Sequence, residues 1–308
     1  MSLRPTILAA AIAAAFAAGP AQALQITTSL TGTLSKDGVP YDPSPLTTTS
    51  AAPGVVSLYQ PTGSYPDSGF YGDLATANTI VRVVAGGTSG QITSSLVYTA
   101  TVTNDTAAAI DLSFDFHIGR GRVSVAGTYD QWVWDPETES GSYQPVAFSG
   151  NASLKSEIQW GDESLWSVHL EVTDSSSTAA TVINDKSASA AGFTTSDWWA
   201  ETGINYDEYY GDLGLGVLNP GETKVLTYSI EGFAFYESDS GASSYGSYGG
   251  AVVGNTDPFQ FEYDEPYYFP EGYSAGITAA VPEPETYALM GLGLLGVAAA
   301  ARRRVAAR

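Results

Sequence analysis

The chain contains two histidines, and each has a carboxylate two residues away: Asp115 ahead of His117, and Glu171 behind His169. In extended backbone, residues two apart lie on one face, so either pair could orient an imidazole as a general base. The sequence places no nucleophile beside them. It contains no Gly-x-Ser-x-Gly elbow, HExxH helix, phosphate loop or EF-hand pattern. A solvated strand face is the simpler reading of both histidines. Acid groups at Asp207-Glu208, Asp162-Glu163 and Asp135/Glu137/Glu139 offer oxygen ligands of the kind Ca²⁺ takes, without the regular spacing of a known loop. No two carboxylates stand out as the acid and base of a glycosidase. The reading is therefore a non-enzymatic protein with no catalytic residue, metal ligand or cofactor site assigned, Ca²⁺ being the one candidate ion.

Aromatic–acid phrases are the other chemical signal: Trp132-Val133-Trp134-Asp135, Asp197-Trp198-Trp199-Ala200-Glu201 and Tyr206-Asp207-Glu208-Tyr209-Tyr210. Exposed rings stack on sugars, and neighbouring carboxylates accept hydrogen bonds from sugar hydroxyls. Trp198, Trp199, Tyr206, Tyr209 and Tyr210 are on this basis the candidate glycan contacts. Packing is the simpler account of Trp132 and Trp134, which alternate around Val133 as strand residues do. Trp198 and Trp199 cannot both face one side of a strand.

Composition bounds what these residues can do. In 308 residues there are 12 Lys and Arg against 33 Asp and Glu, for a net charge of −21. That charge argues against a nucleic-acid partner, which needs cations for its phosphates. With no cysteine there is no disulfide scaffold, cysteine zinc site, iron–sulfur cluster or thiol catalyst. Hydrophobic residues make up 44%, enough for a packed core, while charged residues are only 15%.

The elements that must hold these side chains read as strands. In Ile110–Ile118 the alternation is complete, with Ile110, Leu112, Phe114, Phe116 and Ile118 on one face and Asp111, Ser113, Asp115 and His117 on the other. Leu96, Tyr98, Ala100 and Val102 share a face, as do Trp166, Val168, Leu170 and Val172. Leu226, Tyr228 and Ile230 form another such face, after which Gly232 is expected to shift the phase to Phe233 and Phe235 as a bulge. Asn104-Asp105-Thr106 is a turn signal. Long loops are expected over 36–49, 59–72, 135–145 and 196–216. No amphipathic helix of ten or more residues stands out between residues 24 and 280.

Both ends are addresses. Arg4, an apolar run from Ile7 to Ala18, and Ala21-Gln22-Ala23 are the three parts of a secretory signal peptide, with cleavage expected after Ala23. At the other end Val281-Pro282-Glu283-Pro284 precedes an apolar stretch, Thr286 to Ala301, slightly shorter than the roughly 20 residues that span a bilayer comfortably. Arg302-Arg303-Arg304 follows as the stop-transfer cluster and should stay cytoplasmic, leaving the body outside. Pro282 and Pro284 keep their segment extended, the form a membrane protease binds.

These three features in this order resemble the PEP-CTERM sorting signal, the substrate tag of an exosortase in Gram-negative bacteria that make extracellular polysaccharide. Pro282, Glu283 and Pro284 match the motif, Ala288 to Ala301 the span, and Arg302 to Arg304 the stop. The resemblance implies export through the inner membrane, transient anchoring, processing by an exosortase, and delivery to the surface or extracellular matrix. Two phrases of the body, LVYTATVTNDTAAAIDLSFDF and LNPGETKVLTYSI, resemble paired strands of immunoglobulin-like bacterial surface domains. The expected architecture is all-β: an immunoglobulin-like or jelly-roll-type β-sandwich with long loops, an N-terminal signal helix and a single C-terminal transmembrane helix. Its expected divisions are a signal peptide at 1–23, the sandwich at 24–236, a flexible acidic Tyr/Gly/Ser-rich linker at 237–280 and the sorting and anchor segment at 281–308. The expected role is structural or adhesive, within a biofilm or exopolysaccharide matrix; carbohydrate binding is the alternative, and glycan hydrolysis a third.

Overall fold

The computed structural model describes residues 24–51, 55–60, 68–73, 78–86, 89–118, 121–126, 131–144, 146–197, 202–239, 250–254 and 276–279. Strands are numbered in chain order. The largest sheet runs β14 (Thr181–Lys186), β13 (Glu163–Ser175), β12 (Phe148–Trp160), β18 (Thr223–Ser238), β7 (Ser89–Asn104), β1 (Leu24–Lys36) and β2 (Val39–Pro40), with β3 (Leu46–Thr49) also paired to β1. A second sheet runs β15 (Thr195–Asp197), β16 (Thr202–Tyr206), β9 (Gly121–Ala126), β19 (Gly250–Gly254), β6 (Asn78–Gly86), β5 (Ser68–Asp73) and β4 (Val55–Gln60). A third is β17 (Tyr209–Leu218), β8 (Ile110–Ile118) and β20 (Gly276–Ala279), and β10 (Gln131–Asp135) pairs with β11 (Ser140–Gln144) in a two-stranded sheet among the described residues. Among the described residues the one helical segment is a 3-10 turn at Ala188–Ala190. No helix there is long and apolar enough to cross a membrane. The expected signal helix and C-terminal transmembrane helix lie outside the described residues.

The alternation read from the sequence dictates the core. Leu96, Tyr98, Ala100 and Val102 are buried, as are all five apolar residues of β8, the four of β13 and the three of β18. Both smaller sheets lie on the same face of the large one. From the second sheet Val125 reaches so close to Gly150 that a Cβ there would overlap its Cγ1. From the third, Phe114 stacks on Tyr98 with ring centres 6.1 Å apart, and Phe116 meets Trp166 edge-on at 5.1 Å. Gly211 faces Phe116 across β17–β8, and a side chain at Gly211 would overlap that ring. Each large apolar side chain taken from water contributes about 1.5–3 kcal/mol, which is what holds the layers together.

Four expectations are corrected by long-range pairing. β7 and β8 do not pair: residues 105–109 carry the chain from the large sheet to the third, where β8 lies between β17 and β20. Gly232 is not a bulge, because β18 keeps its register with both neighbours; Ala234 and Tyr236 continue the buried face and leave Phe233 and Phe235 on the other side. Register shifts fall instead at Ile158/Gln159 and Gly214/Gly216. The expected loops contain short strands, one of them made by a tight turn at Asp37-Gly38, both with positive φ, that folds β2 back onto β1. Lastly, 237–280 is not linker throughout: β18 reaches Ser238, β19 sits between β9 and β6, and β20 adds to β8. Strands of four or five residues rich in Gly and Ala carry too little periodicity to be read locally.

Candidate functional site

His117 projects from the polar face of β8, opposite Tyr210 of β17. Its Nε2–H donates to Glu208 Oε1 at 2.9 Å, and its ring stacks on Tyr210 with centres 4.5 Å apart. The partner is thus Glu208, from another strand's entrance, and not the expected Asp115. Asp115 instead lies in register with Asp212 of β17. Two like charges directly opposite each other repel. Burial first, and Asp212 second, push the Asp115 carboxyl above its usual range. A raised carboxyl pKa means the folded state holds its proton to higher pH than the unfolded chain does. Stability is therefore lost as pH rises through the interval between the ordinary and the raised value, and the full penalty is present at neutrality. Asp115→Asn should raise the thermal midpoint at about pH 7 and leave it unchanged at about pH 3, where both forms are neutral. Melting curves at the two pH values measure this directly.

His169 lies on the outer face of the large sheet, in register with Lys155 of β12 and Asp185 of β14. Its Nε2 is 3.2 Å from Glu171 Oε2, the expected same-face carboxylate, whose other oxygen accepts from Asn151 Nδ2 at 2.8 Å. Lys155, Glu157, Asp185 and Glu231 surround it in an open depression of about 690 Å³. No hydroxyl hydrogen-bonds this imidazole among the described residues. The arrangement restrains a histidine on the outer face of the sheet, with Ser156, Ser167 and Ser229 among the residues that line the depression.

The aromatic candidates separate by face. Tyr206 is 1% exposed and stacks on Phe193 at 5.5 Å, so it is core and not a glycan contact. It shares the inward face of the second sheet with Ile204, Val123 and Val253, a placement that follows from cross-strand register. Tyr209 is partly buried among Phe116, Trp166 and Phe193. Tyr210 is 47% exposed. Trp198 and Trp199 lie outside the described residues. Trp134, which alternation assigned to packing, is 56% exposed, because among the described residues its hairpin has no third strand and Gly141 stands opposite it. Tyr143, 68% exposed, shares that face by register and was not singled out from sequence.

Among the described residues no three acidic or histidine side chains converge as metal ligands. Asp135, one of the suggested calcium acids, is engaged locally: it accepts from Thr138 Oγ1 at 2.7 Å and from the Glu137 amide at 2.9 Å, bonds that hold its carboxyl below the usual range. Arg122 is a buried cation on the face of β9 opposite Val123 and Val125, with no signal in the local pattern.

Both ends of the described chain lie at one pole. Leu24, the residue after the expected cleavage site, pairs with Asn104. Asn104 is fully buried, and its Nδ2 donates to the carbonyls of Ala108 and Leu218, both at 2.8 Å. Its backbone exchanges bonds with the 219–222 turn, accepting from Gly221 and donating to Glu222. β20 runs towards the same pole: Gly276 stands opposite Asp115 and Ala279 opposite Leu112, two residues from the start of β8. Residue 280 follows in the chain. Compared with known families, residues 280–304 match the PEP-CTERM protein-sorting motif. No curated protein matches the chain. The motif implies a surface protein targeted through the cell envelope and processed by an exosortase.

Proposed function

We propose that the chain is secreted through the inner membrane of a Gram-negative cell, held there transiently by its C-terminal span, and trimmed by an exosortase before it joins the extracellular polysaccharide matrix. In that matrix its body serves a structural or adhesive role without turnover of substrate. The observation that carries this reading is the sorting-motif match at 280–304, which covers the Pro-Glu-Pro and the apolar run and ends on the arginine cluster. The body is read as an immunoglobulin-like or jelly-roll-type β-sandwich, supported by two smaller antiparallel sheets laid over one face of a larger one. Fractionating cells with and without the processing enzyme tests the role. The trimmed protein should be found with the matrix polysaccharide only when the enzyme is present, and purified protein should leave that polysaccharide undegraded.

A second reading, carbohydrate binding, is favoured by the ring face of the β10–β11 hairpin. Trp134 and Tyr143 are both exposed there and share one face of the hairpin by register. Tyr210, Trp198 and Trp199 belong to the same reading. Exposed rings that face a sugar sustain binding without contributing to a core. Trp134→Ala together with Tyr143→Ala should lower retention on the matrix polysaccharide severalfold while the melting temperature holds; unchanged retention ends this reading for the hairpin.

A further inference from the structure

One residue separates the folded body from the Val-Pro-Glu-Pro stretch of the sorting motif. Ala279 is paired to Leu112, Ala280 is next, and Val281 begins the Val-Pro-Glu-Pro stretch. At no more than about 3.6 Å per residue, Pro282 lies within ~11 Å of the paired strand and Thr286, where the apolar run starts, within ~25 Å. A tag inserted in the bilayer therefore draws one pole of the domain to the membrane surface. That pole is the one built around Asn104, bearing residues 105–109, the 219–222 turn and Leu24. An enzyme cleft that grips an extended substrate more than one residue upstream of Val281 has to take Ala279, which is already in a sheet.

We propose that this pole is the surface presented to the membrane-embedded processing enzyme, and that β20 must leave β8 before Val281–Pro284 can be seated. The inference rests on exosortase processing as stated above and adds to it the structural step that controls access.

β20 is suited to such a step. It is a four-residue strand at the edge of its sheet, bonded to β8 alone among the described residues, whereas β17 pairs with β8 along that strand's whole length. Its hold consists of the ladder, the partly buried Ile277 and Ala279, and a hydroxyl contact of 2.6 Å between Ser113 Oγ and Thr278 Oγ1. Short edge elements with few buried contacts open at the low end of a protein's local stabilities. Cleavage that needs the open form proceeds at a rate set by the population of that form. The sheets of the body keep β8 paired to β17 when β20 opens, so undocking exposes the tag without unfolding the domain.

Pulse–chase of the full-length chain in cells that make the enzyme tests this, reading loss of the C-terminal segment with time. A spacer of about ten Gly and Ser residues inserted after Ala279 frees the motif without touching β20. It should speed trimming about fivefold or more, as should Ile277→Asp, and the two combined should be no faster than either alone. Ser113→Cys with Thr278→Cys places two thiols on directly opposed residues, whose spacing suits a disulfide. Oxidised, that variant should be trimmed more slowly by on the order of tenfold, with reductant restoring the rate. If every variant is trimmed at the unmodified rate, including the oxidised one, β20 does not control access and the inference is wrong. If the unmodified chain is trimmed equally in cells lacking the enzyme, or in neither strain, the exosortase premise fails instead, and the inference falls with it.

Discussion

Trp166→Ala should cost the body about 3–5 kcal/mol, a large part of the roughly 5–15 kcal/mol by which a domain is stable. The side chain is fully buried on β13. It joins three elements: Phe116 from the third sheet at 5.1 Å, Phe193 from the segment after β14 at 6.2 Å, and Tyr209 stacked at 5.9 Å. Truncation leaves a cavity where the large sheet, the third sheet and the 187–197 segment meet, and no single neighbour can move in without leaving another contact. One compensation exists. The indole N–H has no hydrogen-bond partner among the described residues, so its removal relieves an unsatisfied buried donor. That relief is smaller than the packing lost, and Trp166→Phe, which keeps ring contacts and removes the donor, should lose far less than the alanine variant. Urea unfolding of the two variants distinguishes these terms. A midpoint for the alanine variant close to that of the unmodified protein would mean that the aromatic cluster does not join the sheets.

The second large effect lies outside the body. Replacing Pro282, Glu283 and Pro284 together with alanine should abolish trimming, so that the intact chain accumulates with the membrane fraction and the matrix is depleted of it. Two physical changes act together. Proline fixes φ and disfavours helix in the residue before it, and alanine, the best helix former, carries neither constraint. The glutamate is the one charge between the paired strand and Pro284. The melting temperature of the body should stay the same, because the paired strand ends at Ala279, before the motif. Mass spectrometry of the last residue in each fraction measures the effect. Normal trimming of the alanine variant would show that the apolar run and Arg302–Arg304 are sufficient for recognition.

How far local sequence could be read differs between the two histidines. His169 and Glu171 are neighbours on one strand face, and their contact followed from a side-chain period of two. His117 obeyed the same rule with Asp115, yet its carboxylate came from Glu208, because β17 crosses β8 in a register that no local pattern encodes. The tyrosines show the same limit. Tyr206, Tyr209 and Tyr210 fall within five residues and are core, half-buried and exposed in turn, according to which strand each joins and what lies above it. Trp134 alternated like a core residue and is exposed because, among the described residues, nothing extends or covers its two-stranded hairpin.

The amino-acid sequence by itself determined which faces of the long strands would be buried, that the body would be all-β, and that its last stretch would carry a sorting motif. Those properties depend on residues within a few positions of one another: the alternation of extended backbone, and the order of a motif, an apolar run and a charge cluster. Only the tertiary structure decided that β7 and β8 belong to different sheets, that β19 enters between β9 and β6, and that β20 returns to β8 one residue before the motif. Each of those is a pairing between segments distant in the chain. Its free energy comes from surfaces that exist only once the other strands are in place, so no window of sequence contains it.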